Sequence, residues 1–224
     1  MDPVLRRDVA AWLRGLAEVP DDPLLEELHA FAAERRFPIV GPEVGRLLAQ
    51  VVHLLGARRV FELGSGFGYS TLWFARAVGP EGRVWHTDAD PENTAIARDV
   101  LGRAGVAGRV EFQTGDALER LAAAEGEFDV IFCDVDKEAY PAAYERMRRR
   151  VRVGGAILVD NLVWSGRPAA GGEDAATAGV REYIRRMWSD PQFLSSLLPV
   201  RDGVGLSVRR AVPEAAAAAR GRTA

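Results

Sequence analysis

The sequence predicts an α/β fold in which a mostly parallel sheet carries helices on both faces. From residue 58 onward, short apolar runs of strand type alternate with helical segments, and Gly, Pro or Asp residues separate them. Parallel neighbours need a crossover connection, which is usually a helix, so this alternation is typical of a doubly wound sheet. The first sixty residues carry only helical patterns and predict a helical extension ahead of the sheet.

Three amphipathic helices are predicted in that extension, at 2–17, 22–36 and 41–56. Asp21-Asp22-Pro23 supplies an N-cap followed by proline at the first helical position. We interpret Gly41-Pro42 as the same start signal for the third helix.

The remaining elements follow in order along the chain. Strands are predicted at 58–63, 83–87, 109–113, 128–133 and 155–159, with helices between them at 68–78, 91–104, 116–125 and 138–150. A further helix at 173–188 and two strands at 193–200 and 203–209, joined by Arg201-Asp202-Gly203, predict a hairpin at one edge of the sheet. We therefore expect one domain over 1–212, with helices to residue 56, an α/β core at 57–210, and a disordered low-complexity tail at 213–224.

The composition narrows the classes of partner and compartment. The chain of 224 residues has 29 basic and 32 acidic residues, a net charge of −3, which provides no overall positive field for nucleic acid. Its single cysteine, Cys133, excludes an intramolecular disulfide and a cysteine-based metal cage, and we interpret it as a buried apolar residue. The chain shows no secretory leader and no apolar run of about 18 residues, so we expect a cytoplasmic protein without a membrane partner.

A glycine-rich segment, ELGSGFGYS at 62–70, connects the first predicted strand to the next helix. Glycines let the backbone turn tightly and approach a ligand, and the helix N-terminus offers N–H donors to an anionic group. The dinucleotide-binding pattern needs a third glycine at the helix-packing position, and that glycine is missing here. The spacing favours a ligand with a carboxylate over one with a pyrophosphate, and a plain connecting turn is the alternative.

Acidic residues follow the second and third predicted strands. Asp88 lies 22 residues after Gly66, where a carboxylate can accept both hydrogen bonds of a ribose diol. Asp90 precedes Pro91 and is predicted to cap the next helix. Asp116 is either a ligand contact at the same sheet edge or a helix cap.

Further polar residues follow the fourth and fifth strands, namely Asp134 after the fourth and Asp160-Asn161 after the fifth. Adjacent parallel strands bring these residues to one edge of the sheet. Two carboxylates and a carboxamide, without His or Cys, fit Mg²⁺ or Mn²⁺, fit Ca²⁺ less tightly, and do not fit zinc. The alternative is that each acid caps a helix, but converging carboxylates without a cation destabilise one another.

Taken together, these segments resemble the cation-dependent O-methyltransferases, the caffeoyl-CoA and catechol O-methyltransferase group of class I methyltransferases. The resemblance rests on ELGSGFGYS, GDA, FDVIFCDVDK, GGAILVDN with the following WSGR, and DGVGLSVRR, and it runs from about Pro38 to Arg210. It implies a Rossmann-like fold with a seven-stranded sheet, parallel except for one C-terminal strand. It also implies S-adenosyl-L-methionine (SAM) as cofactor and a homodimer.

The resemblance also implies roles for individual residues. Val40, Glu62, Gly64, Ser65, Ser70, Asp88 and Ala117 match cofactor-contacting positions, and Asp116 beside them is a further candidate. Asp134, Asp160 and Asn161 match the metal ligands, and Asp134 is also expected to contact the substrate. Lys137, the only lysine of the chain, matches the catalytic lysine. Trp164 is interpreted as a cover over an aromatic acceptor or as simple packing against its loop.

The activity implied is methyl transfer from SAM to a hydroxyl of a catechol-like vicinal diphenol. A divalent cation can bind both oxygens of the diol and lower the hydroxyl pKa, and Lys137 would act as general base or hold the phenolate electrostatically. One alternative acceptor is a hydroxylated uridine of tRNA. A nicotinamide-dependent oxidoreductase and a non-catalytic SAM-binding regulator are alternatives from other classes. The missing third glycine disfavours the oxidoreductase, and the intact Lys137 and metal ligands disfavour the regulator.

Overall fold

The computed structural model describes residues 6–19 and 22–211 and is built around one seven-stranded sheet. The strands are β1 (Arg59–Leu63), β2 (Arg83–Asp88), β3 (Val110–Thr114), β4 (Phe128–Cys133), β5 (Val151–Val159), β6 (Phe193–Leu198) and β7 (Val204–Arg209). Their order across the sheet is β3-β2-β1-β4-β5-β7-β6. Strand β7 is antiparallel to both neighbours, β5 and β6, and the other strands run parallel to one another, which confirms the predicted fold class.

Eight α-helices surround the sheet in the described part of the chain. They are α1 (Arg7–Ala17), α2 (Pro23–Arg35), α3 (Gly41–Leu55), α4 (Tyr69–Ala77), α5 (Pro91–Arg103), α6 (Ala117–Ala123), α7 (Tyr140–Arg150) and α8 (Ala175–Ser189). Among the described residues, no helix is both long enough and apolar enough to cross a membrane.

Alternate residues of the strands face two hydrophobic cores, one on each side of the sheet. On one side, Val60 and Val130 pack in a core with residues of helices α2 to α5. On the other side, Phe61 and Ile131 pack in a core with residues of helices α6 to α8. This two-sided burial explains why the strands appear in the sequence as continuous apolar runs rather than as alternating patterns.

Several element boundaries agree with the local signals, and some do not. Asp22 caps α2 by accepting a hydrogen bond from Leu25 N at 3.3 Å, as predicted. Gly41 does not cap α3: the helix begins at Gly41, and the residue before it, Val40, makes no side-chain cap. The helix predicted from 138 begins with a 3₁₀ turn at Lys137–Ala139. The predicted segments 2–5 and 213–224 lie outside the described residues.

Strand β5 starts at Val151, four residues before the predicted strand at 155–159. Gly154-Gly155 resembles a turn in the sequence, but Val151 pairs with Phe128 of β4, and the register shifts between Phe128 and Val130. A register shift of this kind accommodates extra residues within a strand. The ladder then continues to Cys133 opposite Val159, which aligns the carboxyl ends of β4 and β5.

Candidate functional site

A cavity of about 740 Å³ lies at the carboxyl edge of the parallel strands. Segments that follow β1 to β5 line it, together with the chain at 37–40 ahead of α3. Of the residues proposed from the sequence, those that line it are Val40, Gly64, Ser65, Ser70, Asp88, Asp116, Ala117, Asp134, Lys137, Asp160, Asn161 and Trp164. Glu62 is the exception, since it is fully buried and does not line the cavity.

The glycine-rich turn approaches the backbone after β4 closely. Gly64 has a φ of +78°, and a Cβ atom added there would lie 2.5 Å from the carbonyl oxygen of Asp134. The amides of Gly64 and Ser65 donate to Thr87 O at 3.2 and 2.9 Å, which ties the turn to the end of β2. Only glycine fits this position without moving the Asp134 backbone.

The Asp88 carboxylate accepts hydrogen bonds from three residues, two of which, Gly66 and Asp90, line the cavity. Oδ2 accepts a hydrogen bond from Gly66 N at 2.8 Å, and Oδ1 accepts from Asp90 N at 2.9 Å and from Asn93 Nδ2 at 3.0 Å. Each carboxylate oxygen can accept more than one hydrogen bond, so the side chain retains capacity for a ligand. Asn93 could not be recognised from the sequence, because a polar residue within a helix is most often simply exposed to solvent.

Asp90 and Asp116 both cap helices. Asp90 accepts from Glu92 N at 2.8 Å at the start of α5, as predicted. Asp116 accepts from Glu119 N at 2.8 Å at the start of α6. Asp116 also lines the cavity, so the cap and the ligand interpretations are compatible in this structure.

A buried polar network lies beneath the glycine-rich turn. Thr71 Oγ1 donates to Glu62 Oε2 at 2.5 Å and lies 3.0 Å from His86 Nδ1. Burial raises the pKa of Glu62 to about 7 and lowers the pKa of His86 to about 4. Thr71 and His86 were not assigned a role from the sequence, because a helix and a strand meet there only in the folded chain.

The two carboxylates predicted to bind a metal lie on neighbouring strand ends. Asp134 N donates to Leu63 O at 2.8 Å, and Asp160 N donates to Cys133 O at 3.1 Å, so both residues continue the sheet ladder. Asp160 is only 4% exposed, and its Oδ1 has no hydrogen-bond partner among the described residues. Burial, with the charge of Asp134 nearby, raises the pKa of Asp160 to about 7.

These residues fit a hard divalent cation. A buried carboxylate oxygen without a partner beside a second carboxylate is a costly arrangement unless a cation neutralises it. Asn161, with a φ of +58°, follows Asp160 directly and lines the same cavity with a carboxamide. No group of three or more His, Cys, Asp or Glu side chains in the described ranges is arranged to hold a metal, and the predicted set contains only two such side chains.

Lys137 is positioned beside the same carboxylates. Its Nζ donates to Asp134 Oδ1 at 2.8 Å and to Val135 O at 3.3 Å. It also lies 5.2 Å from the ring centroid of Tyr140 and 5.6 Å from that of Trp164. Trp164 lines the cavity and also packs against the core on one side of the sheet, so both interpretations of this residue describe part of its environment.

Comparison with known proteins gives consistent matches. A family model described as O-methyltransferase matches residues 16–210. The chain is 38% identical over 187 residues to a catechol O-methyltransferase of Mycobacterium tuberculosis, covering 82% of this chain and 84% of the relative. It is 31% identical over 203 residues to caffeoyl-CoA O-methyltransferase 1 of Eucalyptus globulus, covering 83% and 81%.

Solved structures agree with these matches. The O-methyltransferase from Bacillus cereus in complex with SAH superposes with a TM-score of 0.82 at 31% identity, covering 91% of this chain and 97% of that chain. TomG from Streptomyces achromogenes, an O-methyltransferase in complex with SAM, has a TM-score of 0.82 at 27% identity, covering 91% and 96%.

Proposed function

The chain belongs to the O-methyltransferase family, and from this premise we propose that it transfers a methyl group from SAM to a hydroxyl of a catechol-like vicinal diphenol with the help of a divalent cation. The observation that carries the proposal is the pair of Asp134 and Asp160 with Lys137 at one cavity. Lys137 Nζ bonds Asp134 Oδ1 at 2.8 Å, while a buried oxygen of Asp160 has no hydrogen-bond partner within residues 6–19 and 22–211. The name of the M. tuberculosis relative supports a diphenol acceptor.

We assign SAM to the part of the cavity formed by the ends of β1, β2 and β3. Ser65, Ser70 and the open N-terminus of α4 offer donors for the carboxylate of the methionine moiety, and Asp88 offers acceptors for the ribose hydroxyls. Gly64, Val40, Asp116 and Ala117 would surround the rest of the cofactor. Glu62 would act from below the turn, since its side chain does not reach the cavity.

We assign the metal to Asp134, Asp160 and Asn161, with Mg²⁺ as the first choice. A cation held there would supply Lewis-acid chemistry that lowers the pKa of the acceptor hydroxyl. Asp134 and Asn161 lie at the edge of the cavity, so they would also orient the acceptor next to the cofactor. Trp164 lines the cavity and would cover an aromatic acceptor by packing against its ring.

Lys137 has the proton-handling role in this proposal. Its Nζ donates a hydrogen bond to Asp134 at 2.8 Å, so it would reach the hydroxyl of an acceptor that is oriented beside Asp134. It would take the hydroxyl proton or hold the developing phenolate. A lysine can release its proton in a suitable environment and an arginine cannot, so substitution by arginine separates these two roles.

The decisive experiment measures transfer of a labelled methyl group from SAM to a panel of catechols and to bulk tRNA, with and without EDTA. We expect transfer to a catechol that EDTA abolishes and added Mg²⁺ restores. Transfer that survives chelation would contradict the metal role, and transfer to tRNA alone would contradict the diphenol acceptor. The net charge of −3 disfavours the tRNA acceptor.

Calorimetry with SAM and with NADH tests the cofactor separately. We expect binding of SAM and none of NADH, because the glycine-rich turn lacks the third glycine of the dinucleotide pattern. The homodimer and the cytoplasmic location are further parts of the proposal. Light scattering after size-exclusion chromatography measures the former, and cell fractionation measures the latter.

A further inference from the structure

The turn between β6 and β7, Arg201-Asp202-Gly203, contacts two segments of the chain that line the candidate site, 161–164 and 37–40. The sequence pattern indicates only a hairpin connection at this place. In the structure, Asp202 lines the 740 Å³ cavity and also a second cavity of about 950 Å³ next to it. The turn therefore lies at the boundary between the two cavities.

Asp202 holds the loop that follows β5. Its Oδ1 accepts a hydrogen bond from Ser165 N at 2.6 Å, and its carbonyl oxygen accepts from Val163 N at 2.8 Å. The neighbouring carbonyl of Gly203 accepts from Leu162 N at 2.9 Å. Three successive attachments thus connect the turn to the segment that carries Trp164.

That segment has an unusual backbone. Trp164 and Ser165 have φ values of +47° and +53°, in the left-handed region that residues with a side chain seldom adopt. A non-glycine residue in this region costs of order 1 kcal/mol or more and persists only where its surroundings hold it. The Asp202 carboxylate bonds the backbone N–H of one of these two residues, so it is placed to hold this conformation and the position of the Trp164 indole.

Arg201 holds another part of the cavity wall. One of its terminal nitrogens, Nη1, donates to Ile39 O at 2.6 Å, and Ile39 and Val40 both line the cavity. Gly41 has a φ of +72°, which favours glycine, and a Cβ atom added there would meet the Arg201 guanidinium, so the arginine crosses the chain at the start of α3. Neighbouring residues of one turn therefore contact two parts of the cavity wall.

We propose that Arg201 and Asp202 are separate positioning residues, of which Asp202 fixes the acceptor wall through the Trp164–Ser165 backbone and Arg201 fixes the cofactor wall through Ile39. The assignment of the two walls to acceptor and cofactor rests on the proposed function. Neither residue is required to touch the reacting atoms.

The first test compares Asp202→Ala with Asp202→Asn, using catechol, Mg²⁺ and SAM. A hydrogen bond to a charged acceptor contributes about the free energy of a tenfold change in a binding constant. We expect Asp202→Ala to raise the KM for catechol by about tenfold while the Kd for SAM stays within about twofold. Asp202→Asn retains an oxygen that accepts from Ser165 N and should remain close to the wild type. An Asn variant as impaired as the Ala variant would overturn the proposal.

A third variant keeps the test informative if Asp202→Ala does not fold. Asp202→Glu retains the charge but moves the carboxylate by one methylene group. We expect a higher KM for catechol in Asp202→Glu than in Asp202→Asn, because geometry and not charge positions the loop. The reverse order would overturn the proposal.

The second test uses Arg201→Met, which keeps the length of the apolar stem and removes the donor. We expect the Kd for SAM to rise by about tenfold and the KM for catechol at saturating SAM to stay unchanged. Arg210→Met is the matched control, because Arg210 likewise donates to a backbone carbonyl, Pro191 O at 2.7 Å, away from the cavity. The proposal of separate positioning residues would be contradicted if Arg201→Met and Arg210→Met raised the Kd for SAM equally. It would also be contradicted if Arg201→Met raised both the Kd for SAM and the KM for catechol.

Hydrogen exchange of the enzyme without substrates separates this proposal from the proposed function. The peptide at 162–168 should exchange faster in Asp202→Ala than in the wild type and should be unchanged in Arg201→Met. If the wild type methylates no diphenol, the proposed function fails, while faster exchange confined to Asp202→Ala still supports the attachment of the loop. If hydrogen exchange of this peptide is unchanged in Asp202→Ala, the proposal that Asp202 holds the loop is overturned.

Discussion

The two halves of the cavity edge differ in how their carboxylates are satisfied. At the ends of β2 and β3, Asp88, Asp90 and Asp116 each accept hydrogen bonds from backbone amides of the chain itself. At the ends of β4 and β5, Asp134 bonds Lys137, and one oxygen of the buried Asp160 has no partner in the part of the chain that the structure describes. Both halves follow parallel strands of one sheet, so the difference arises from the residues that surround each strand end.

This difference indicates two kinds of binding site. The half formed by β1 to β3 is held in shape by its own hydrogen bonds, so a ligand there adds contacts to a preformed wall. The half formed by β4 and β5 contains a buried carboxyl group, Asp160, with an oxygen that has no partner in the described part of the chain, so a cation bound there would complete its contacts. Four variants break or sharpen this comparison, two in each half.

Asp160→Asn should have the largest effect. It removes the charge of the buried carboxylate at nearly constant volume, so we expect a loss of activity of about 10³- to 10⁴-fold, since a metal supplies several kcal/mol of stabilisation to such a reaction. Binding of Mn²⁺, measured by electron paramagnetic resonance, should be lost, and the Kd for SAM should be unchanged. Asp99→Asn is the control, because Asp99 is an exposed acid that bonds Arg103 outside the cavity. Undiminished Mn²⁺ binding in Asp160→Asn would contradict the comparison.

Lys137→Arg should have the next largest effect. The charge beside Asp134 is retained, but arginine cannot act as a general base, so kcat should fall by about 10²- to 10³-fold. Calorimetry should show SAM binding as in the wild type. Near-normal turnover would show that Lys137 contributes only its charge.

Glu62→Gln tests the fully buried carboxyl group at β1, which lies in the preformed half but does not line the cavity. Burial raises the pKa of Glu62 from its ordinary 4.5 to about 7, so the folded state retains the proton while the unfolded state loses it. The stabilising effect of the protonated side chain is complete below pH 4.5 and is lost as the pH rises to about 7. Relative to Glu62→Gln, the wild type should therefore lose roughly 2 to 3 kcal/mol of unfolding free energy between pH 5 and pH 8.

Urea unfolding of both proteins without SAM at the two pH values measures this difference. The comparison with the variant cancels the contributions of the other groups, including His86. If the difference in unfolding free energy between the two proteins is the same at both pH values, Glu62 is ionised throughout. Burial would then not raise its pKa.

Asp88→Asn should have the smallest effect on turnover. Its amide oxygen can accept from Gly66 N, but the negative charge that strengthens bonds to a ribose diol is lost. We expect the Kd for SAM to rise by about tenfold and kcat at saturating SAM to stay within about twofold. A large fall in kcat at saturating SAM would show that this half of the cavity also takes part in the chemical step.

Much of the fold was predictable because its signals are local. Apolar runs ending in Asp88, Cys133 and Val159 mark the parallel strands, and Asp90 before Pro91 marks the start of a helix. The predicted order of strands and helices is correct. The early start of β5 at Val151 was missed, because Gly154-Gly155 resembles a turn and only pairing with Phe128 keeps it extended.

The candidate site was predictable where residues follow strand ends. Gly64, Asp88, Asp134 and Asp160 all occupy such positions, and parallel strands carry their carboxyl ends to one edge. Glu62 was placed among the cavity residues from its matching position, but it lies at the inner side of the turn. Thr71, Asn93 and His86 were not found, because their partners come from other elements.

The sequence by itself determined the order of the elements, the strands at whose ends acids occur, and the edge where they meet, because these properties depend on residue spacing and on the rules of parallel sheets. The tertiary structure alone decided which carboxylate oxygens are bonded and which, among the described residues, are buried without a partner, as Oδ1 of Asp160 and Oε1 of Glu62 are. It also joined Arg201 to Ile39, which lies 162 residues earlier, and Asp202 to Ser165. Burial and hydrogen bonding depend on segments that are distant in the chain, and local patterns carry no information about their contacts.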